Sequence, residues 1–110
     1  MIQGNRLDLH SILQKALVEL GGGKMKDVYF QPPESIQISY PAIIYELKGS
    51  TEIRANNKVY ILSSRYEVSY ITNDPDNDFV KKFSSFLPLC SLSREYISGN
   101  LNHYVYTVIY

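Results

Sequence analysis

The side chains able to do chemistry in this chain are two histidines, one cysteine, a set of alternating aspartates and ten tyrosines. Their spacing restricts that chemistry. His10 falls in a helical stretch, off its apolar stripe, and His103 opens the last strand-like run. Neither has a second His, Cys, Asp or Glu at a metal-ligand spacing, so structural roles are expected. Cys90 follows Pro88 and Leu89 in an apolar neighbourhood with no local signature that would activate it. A buried, inert thiol is expected there. Asp74, Asp76 and Asp78 alternate as in a calcium loop, but Phe79 stands where the glycine belongs and Ser85 where the closing Glu belongs. Helix capping explains these aspartates better. Gly21-Gly22-Gly23-Lys24 follows a helix where a phosphate loop precedes one, and no Ser or Thr follows the lysine. A nucleotide site is not expected. The chain is read as having no catalytic residues, metal or cofactor.

The tyrosines speak about shape. In the run Lys58 to Thr72, the even positions are Tyr60, Leu62, Ser64, Tyr66, Val68 and Tyr70. The odd positions include Ser63, Arg65, Glu67 and Ser69. Alternate side chains point to opposite faces, so this is a long, half-buried antiparallel strand. Tyrosine buries a ring and keeps a hydroxyl wet, which suits a surface covered only on assembly. Tyr66, Tyr70 and Arg65 also invite comparison with aromatic RNA-binding sheets. The glycines of that signature are absent, and core or subunit-contact tyrosines are the heavier reading.

At 110 residues the chain is read as one domain, 1–110. A chain of this size buries roughly two-thirds of its unfolded surface. Its 45% hydrophobic content indicates neither disorder nor a membrane protein. Eleven basic residues balance eleven acidic ones, which gives no overall electrostatic footprint for nucleic acid or anionic lipid. Neutrality also permits self-association. A lone cysteine excludes an intrachain disulfide, and a cytosolic chain is the natural expectation. Met1 to Arg6 carries no apolar signal core, and no window approaches membrane-spanning length. The expectation is a protein that works where it is made or leaves as part of an assembly.

The elements that would position these residues follow from periodicity. Leu9, Ile12, Leu13, Ala16, Leu17 and Leu20 form one helical stripe from about Leu7 to Leu20. Asn5 with Asp8 starts the helix, and Gly21-Gly22-Gly23 stops it. Val28-Tyr29-Phe30 is a short strand closed by Pro32-Pro33, and Tyr40 to Lys48 a second. Gly49 to Asn57 reads as a long polar loop into the tyrosine-rich third strand. Asn73 to Asp76 opens a second helix carrying Phe79, Val80, Phe83, Phe86 and Leu87, which Pro88 ends. Arg94 to Ile97 and Asn102 to Tyr110 form a hairpin about Ser98-Gly99-Asn100. The predicted fold is α+β. An antiparallel, mainly meander sheet of about four to five strands is packed by two helices, in the order α-β-β-β-α-β-β.

Several residues together carry a resemblance: an N-terminal amphipathic helix, Val28-Tyr29-Phe30-Gln31-Pro32-Pro33, Tyr40-Pro41-Ala42-Ile43-Ile44-Tyr45, Tyr60, Arg65-Tyr66-Glu67-Val68, Asp74-Pro75-Asp76 and Asn100-Leu101-Asn102-His103-Tyr104. The pattern resembles the small tail-completion, tail-terminator or minor capsid proteins of head–tail joining clusters in long-tailed phages and prophages of Gram-positive bacteria. That resemblance implies a non-enzymatic virion protein that forms a ring, hexameric in such terminators. The ring would cap the tail tube and meet a head-closure or connector protein. Its expected place is the virion tail or neck, assembled in the bacterial cytoplasm. Its expected partners are itself, the tail-tube protein and the head-closure or connector protein, with no membrane and no specific nucleic acid. The subunit interface is expected to use Glu52, Arg54, Asn56, Asn57 and Lys58 of the polar loop. Two other functions compete with this one: a small adaptor that binds another protein, and a nucleic-acid-binding domain using the aromatic sheet.

Overall fold

The computed structural model of the protein describes residues 5–55 and 58–110, with side chains outside 51–63. Helix α1 runs Arg6–Ala16 and continues through a π-helical turn, Leu17–Gly21. The side chain of Asn5 accepts from the Asp8 N–H at 2.9 Å, as the sequence predicts. Gly22 closes the helix in the left-handed region at φ 71°. A 3₁₀ turn, Met25–Asp27, leads into β1 (Val28–Phe30). Strands β2 (Ala42–Ala55) and β3 (Lys58–Thr72) follow, then α2 (Phe79–Lys82) with a 3₁₀ turn, Phe83–Phe86. Strands β4 (Cys90–Ser98) and β5 (Leu101–Ile109) end the sequence of elements.

The α+β class stands, and the five strands form one open, mixed sheet in the order β1-β2-β3-β5-β4. Two expectations are corrected. The sheet is not wholly antiparallel, because β1 pairs parallel to β2 with Val28 opposite Ile43. The 31–41 connection carries Pro32, Pro33 and Pro41, and it returns the chain to the starting end of the sheet, where a tight hairpin would have reversed it. Nor is the sheet a simple meander. The chain leaves β3, crosses through α2 to the edge at β4, and comes back as β5 between the two.

The expected loop at 49–57 is also corrected, since β2 continues to Ala55 and pairs there with Lys58 of β3. A bulge at Lys48 breaks the alternation that the sequence pattern relies on: Leu47 faces Tyr66, but Gly49 faces Arg65. A second bulge, at Ser93, hides the start of β4 in the same way, with Leu92 opposite Tyr106 and Arg94 opposite Val105. The second helix is shorter than its apolar stripe suggests, because Phe83–Phe86 tightens into the 3₁₀ turn.

Both helices lie on one face of the sheet. Leu9, Leu13, Ala16 and Leu17 of α1 and its π turn meet Ile43 and Tyr45 of β2, Tyr66, Val68 and Tyr70 of β3, and Tyr106 and Val108 of β5. Phe79 and Phe83 complete the layer. Tyr70 stacks on Phe79 at 3.9 Å between centroids, Phe79 on Phe83 at 4.6 Å, and Phe83 meets Tyr106 edge-on at 4.8 Å. The predicted even-numbered face of β3 is therefore the buried one at Tyr66, Val68 and Tyr70, while the side chains of Tyr60 and Leu62 lie outside the described residues.

Two stability outcomes follow. Phe83→Ala empties the centre of the aromatic stack and should cost about 3–5 kcal/mol; Leu17→Ala should cost about 2–5 kcal/mol. Chemical denaturation reads both, and a loss under about half a kcal/mol would move that side chain to the surface. The Tyr106 hydroxyl is buried with no hydrogen-bond partner. Tyr106→Phe removes that unsatisfied group and should leave stability equal or higher by about 1 kcal/mol. A clear loss would mean the hydroxyl has a partner.

Candidate functional site

His10 and Tyr45 come together where α1 crosses β2. Tyr45 is fully buried, and its hydroxyl lies 2.7 Å from His10 Nδ1 and 3.3 Å from Arg6 Nη1. A guanidinium can only donate, so the Tyr45 oxygen accepts from Arg6 and its O–H is free to donate to His10. The Arg6 guanidinium also sits 4.5 Å above the Phe30 ring. Burial, then the Arg6 charge, holds His10 below the ordinary imidazole value. Burial raises the Tyr45 phenol. A raised phenol is not an activated oxygen, so this arrangement positions α1 on the sheet and has no visible catalytic role. The sequence reading sets His10 off the apolar stripe, but it stands at the edge of that stripe, against Tyr45. The signal of that contact was the spacing of Arg6, His10, Leu13 and Leu17, which shares one row of a helix.

The other candidate groups are dispersed. Burial pushes the Cys90 thiol up to about 11, only partly offset by a hydrogen bond with Ser84, so it stays protonated at neutral pH. Asp74 accepts from the Asp76 N–H at 2.9 Å, and Asn77 accepts from the Val80 N–H at 3.3 Å. These contacts shape a turn, and Asn77 rather than an aspartate caps α2. Among the described residues no three His, Cys, Asp or Glu side chains lie close enough to hold a metal. Tyr66 and Tyr70 lie under the helices, so neither offers an open stacking platform. No helix among the described residues is long and apolar enough to cross a membrane.

The face without helices is mixed: Ala42, Ile71 and Val105 are buried on it, and charged groups pair beside them. Glu46 and Glu67 stand directly opposite each other on β2 and β3. Lys48 answers Glu46 at 2.7 Å, and Arg94 answers Glu67 at 3.7 Å. Tyr96 stacks on His103 at 4.6 Å with the planes 7° apart, and the Arg94 guanidinium lies 6.0 Å from the Tyr96 ring. Exposed pairs of this kind are worth about 0–1 kcal/mol each. They keep that part of the face wet.

Two features remain that point outward. Strand β5 pairs with β3 only from Arg65 to Thr72, and Tyr110 N–H donates to Ser64 at 2.9 Å. Beyond Ser64, β2 and β3 pair only with each other, so the hairpin forms a two-stranded arm. The molecule measures 51 × 30 × 23 Å, and its radius of gyration of 14.8 Å exceeds the ~13 Å of a compact domain this long. The expected interface residues Glu52, Arg54 and Lys58 fall on this arm by backbone position; their side chains, and all of Asn56 and Asn57, lie outside the described residues. The second feature is β4. It is an edge strand, every residue from Ser91 to Ser98 is exposed, and Leu92, Tyr96 and Ile97 are among them. Comparison with known protein families and with curated proteins found no match for this chain.

The histidines give a pH expectation. Burial lowers His103 as well as His10. A histidine whose folded value lies below its unfolded one takes up protons on unfolding. Both therefore contribute stability above about pH 6.5, and this is lost as pH falls below that value toward the folded-state pKa. Titration of the two imidazole resonances by NMR should place both midpoints below the ordinary value. A midpoint at or above it for His10 would contradict the buried contact with Tyr45.

Proposed function

We propose that this protein is a non-enzymatic structural component of a long-tailed phage or prophage particle. In this reading it completes the tail tube and joins tail to head as a ring of copies, with six as the expected number. Its partners are further copies of itself, the tail-tube protein and a head-closure or connector protein. Its place is the virion tail or neck.

The two-stranded arm is the observation that carries the reading. An isolated hairpin is marginal in water, and ordering its backbone costs about 1–2 kcal/mol per residue. A chain that extends such a ribbon past its core supports a surface completed by a neighbour. The exposed apolar edge at β4 supports the same conclusion, because long edge strands are ordinarily covered or blunted. The rival nucleic-acid reading draws no support from Tyr66 and Tyr70, which are buried.

Arg54 lies on the arm, and a guanidinium can pair bidentately across an interface. Arg54→Glu, introduced into the phage genome, should leave the melting temperature of the isolated protein unchanged. It should sharply reduce joined, infectious particles, since a hot-spot loss of about 2 kcal/mol weakens a contact about thirtyfold. Electron microscopy of lysates, with titres, reads the outcome. Normal tails joined to heads at the normal level would make the arm a spectator.

A further inference from the structure

Two of the apolar surfaces exposed among the described residues lie at opposite edges of the sheet, and they differ in shape and charge. Beyond Cys90 the helix layer leaves β4 uncovered. Leu92, Glu95 and Ile97 stand opposite Tyr106, Tyr104 and Asn102, on the face the helices cover elsewhere. Yet Leu92 is 43% exposed and Ile97 73% exposed. Glu95, Ile97 and Tyr104 line a shallow hollow of about 340 Å³ on this shelf. Among the described residues Glu95 enters no ion pair.

The other surface lies beside β1. The outer face of α1 and its π turn carries Ser11, Gln14, Lys15, Val18 and Glu19, and Met25 comes from the turn that leads into β1. Together they line a second open hollow of about 350 Å³. Gln14 fixes its far wall by donating to the Met25 carbonyl at 3.1 Å. Val18 is 45% exposed and Met25 59% exposed. Among the described residues Lys15 pairs with Glu19, at 4.0 Å, in an exposed pair of the weak i,i+4 kind.

Each surface thus joins an apolar pair to a charge that the other can meet: Glu95 on the shelf, and on α1 Lys15, which has Glu19 beside it. We infer that the α1–Met25 hollow of one copy receives the β4 shelf of a second copy. Val18 and Met25 then cover Leu92 and Ile97, while Lys15, shared with Glu19, pairs with Glu95. Apolar groups fill the centre and the charges set register at the rim, the arrangement usual in specific interfaces. The two patches differ and lie at opposite edges of the sheet, so the contact is head-to-tail and leaves the shelf of the first copy and the hollow of the second free. Such a contact propagates, and closes where the rotation between copies permits. The inference rests on the assembly reading above and names its contact.

The test uses two single-cysteine chains in a Cys90→Ala background, one with Val18→Cys and the other with Ile97→Cys. Mixed at high concentration under mild oxidation, they should give the 18–97 link in clear excess over 18–18 and 97–97. Lys15→Glu in the first chain should cut that yield severalfold, and Glu95→Lys in the second should restore it. Glu19→Gln should raise it, because a like charge facing Glu95 is removed. Absence of the 18–97 link, or a yield indifferent to the charge changes, overturns the contact. Oligomers seen by light scattering without that link would leave the assembly reading standing on another contact. Monomers throughout, together with normal particles from Arg54→Glu, would sink both.

Discussion

One ring, Tyr70, ties the two halves of the helix layer to the sheet. It lies at the middle of the molecule, on β3 between Ile43 of β2 and Tyr104 of β5. Its face stacks on Phe79 at the start of α2. Its hydroxyl donates to the Gly21 carbonyl at the end of the π turn, at 3.3 Å. A Cβ on Gly21 would stand only 3.0 Å from that ring and from the Leu17 side chain. The glycine there is needed for close approach, and its neighbour Gly22 supplies the left-handed cap. The π turn follows from the same constraint. Widening the last turn of the helix delivers a free carbonyl to the tyrosine while Leu17 stays in the core.

A small helix layer seated on one tyrosine covers only part of the sheet. It spans β1, β2, β3 and β5 and reaches β4 only at Cys90. A five-stranded sheet under so narrow a layer must leave a shelf. The sequence of β4 shows how that shelf stays soluble. Arg94 and Glu95 occupy its centre, and the Ser93 bulge twists the strand away from a flat pairing edge. Ser93 is itself held, with its hydroxyl 2.7 Å from that of Thr107. Leu92 and Ile97 flank these guards.

Periodicity was legible wherever one face was covered. The stripe of α1, the Asn5 cap, the glycine stop and the buried face of Tyr66, Val68 and Tyr70 could all be read from residue types, because burial imposes the period. It failed wherever covering ended. Past Lys48 the ribbon carries no helix, so nothing enforces alternation, and the strand reads as a loop. Past Cys90 the bulge shifts the phase, and the first residues of β4 were missed. The parallel pairing of β1 was illegible for another reason: strand direction is set by the path of the 31–41 connection, which no local pattern encodes. The Arg6–His10–Tyr45 contact joins residues 35 and 39 positions apart, and only the crossing of α1 over β2 brings them together.

The same rule bears on function. Sequence patterns report surfaces that the chain covers for itself. Surfaces that the chain leaves uncovered look like irregularities: a polar ribbon, a phase-shifted edge, an exposed Ile97, a helix with Val18 on its outer face. They gather at β4, on the outer side of α1 and in the arm, but the Lys48 bulge and the exposed Leu47 beside it interrupt the pattern between β2 and β3 as well. Random drift in surface composition would scatter exposed apolar groups singly. Leu7, Ile36, Leu47 and Leu89 are exposed in that scattered way. Val18 with Met25 and Leu92 with Ile97 instead stand together, beside Lys15 and beside Glu95, and it is these two patches, rather than any single residue, that a second copy would have to cover.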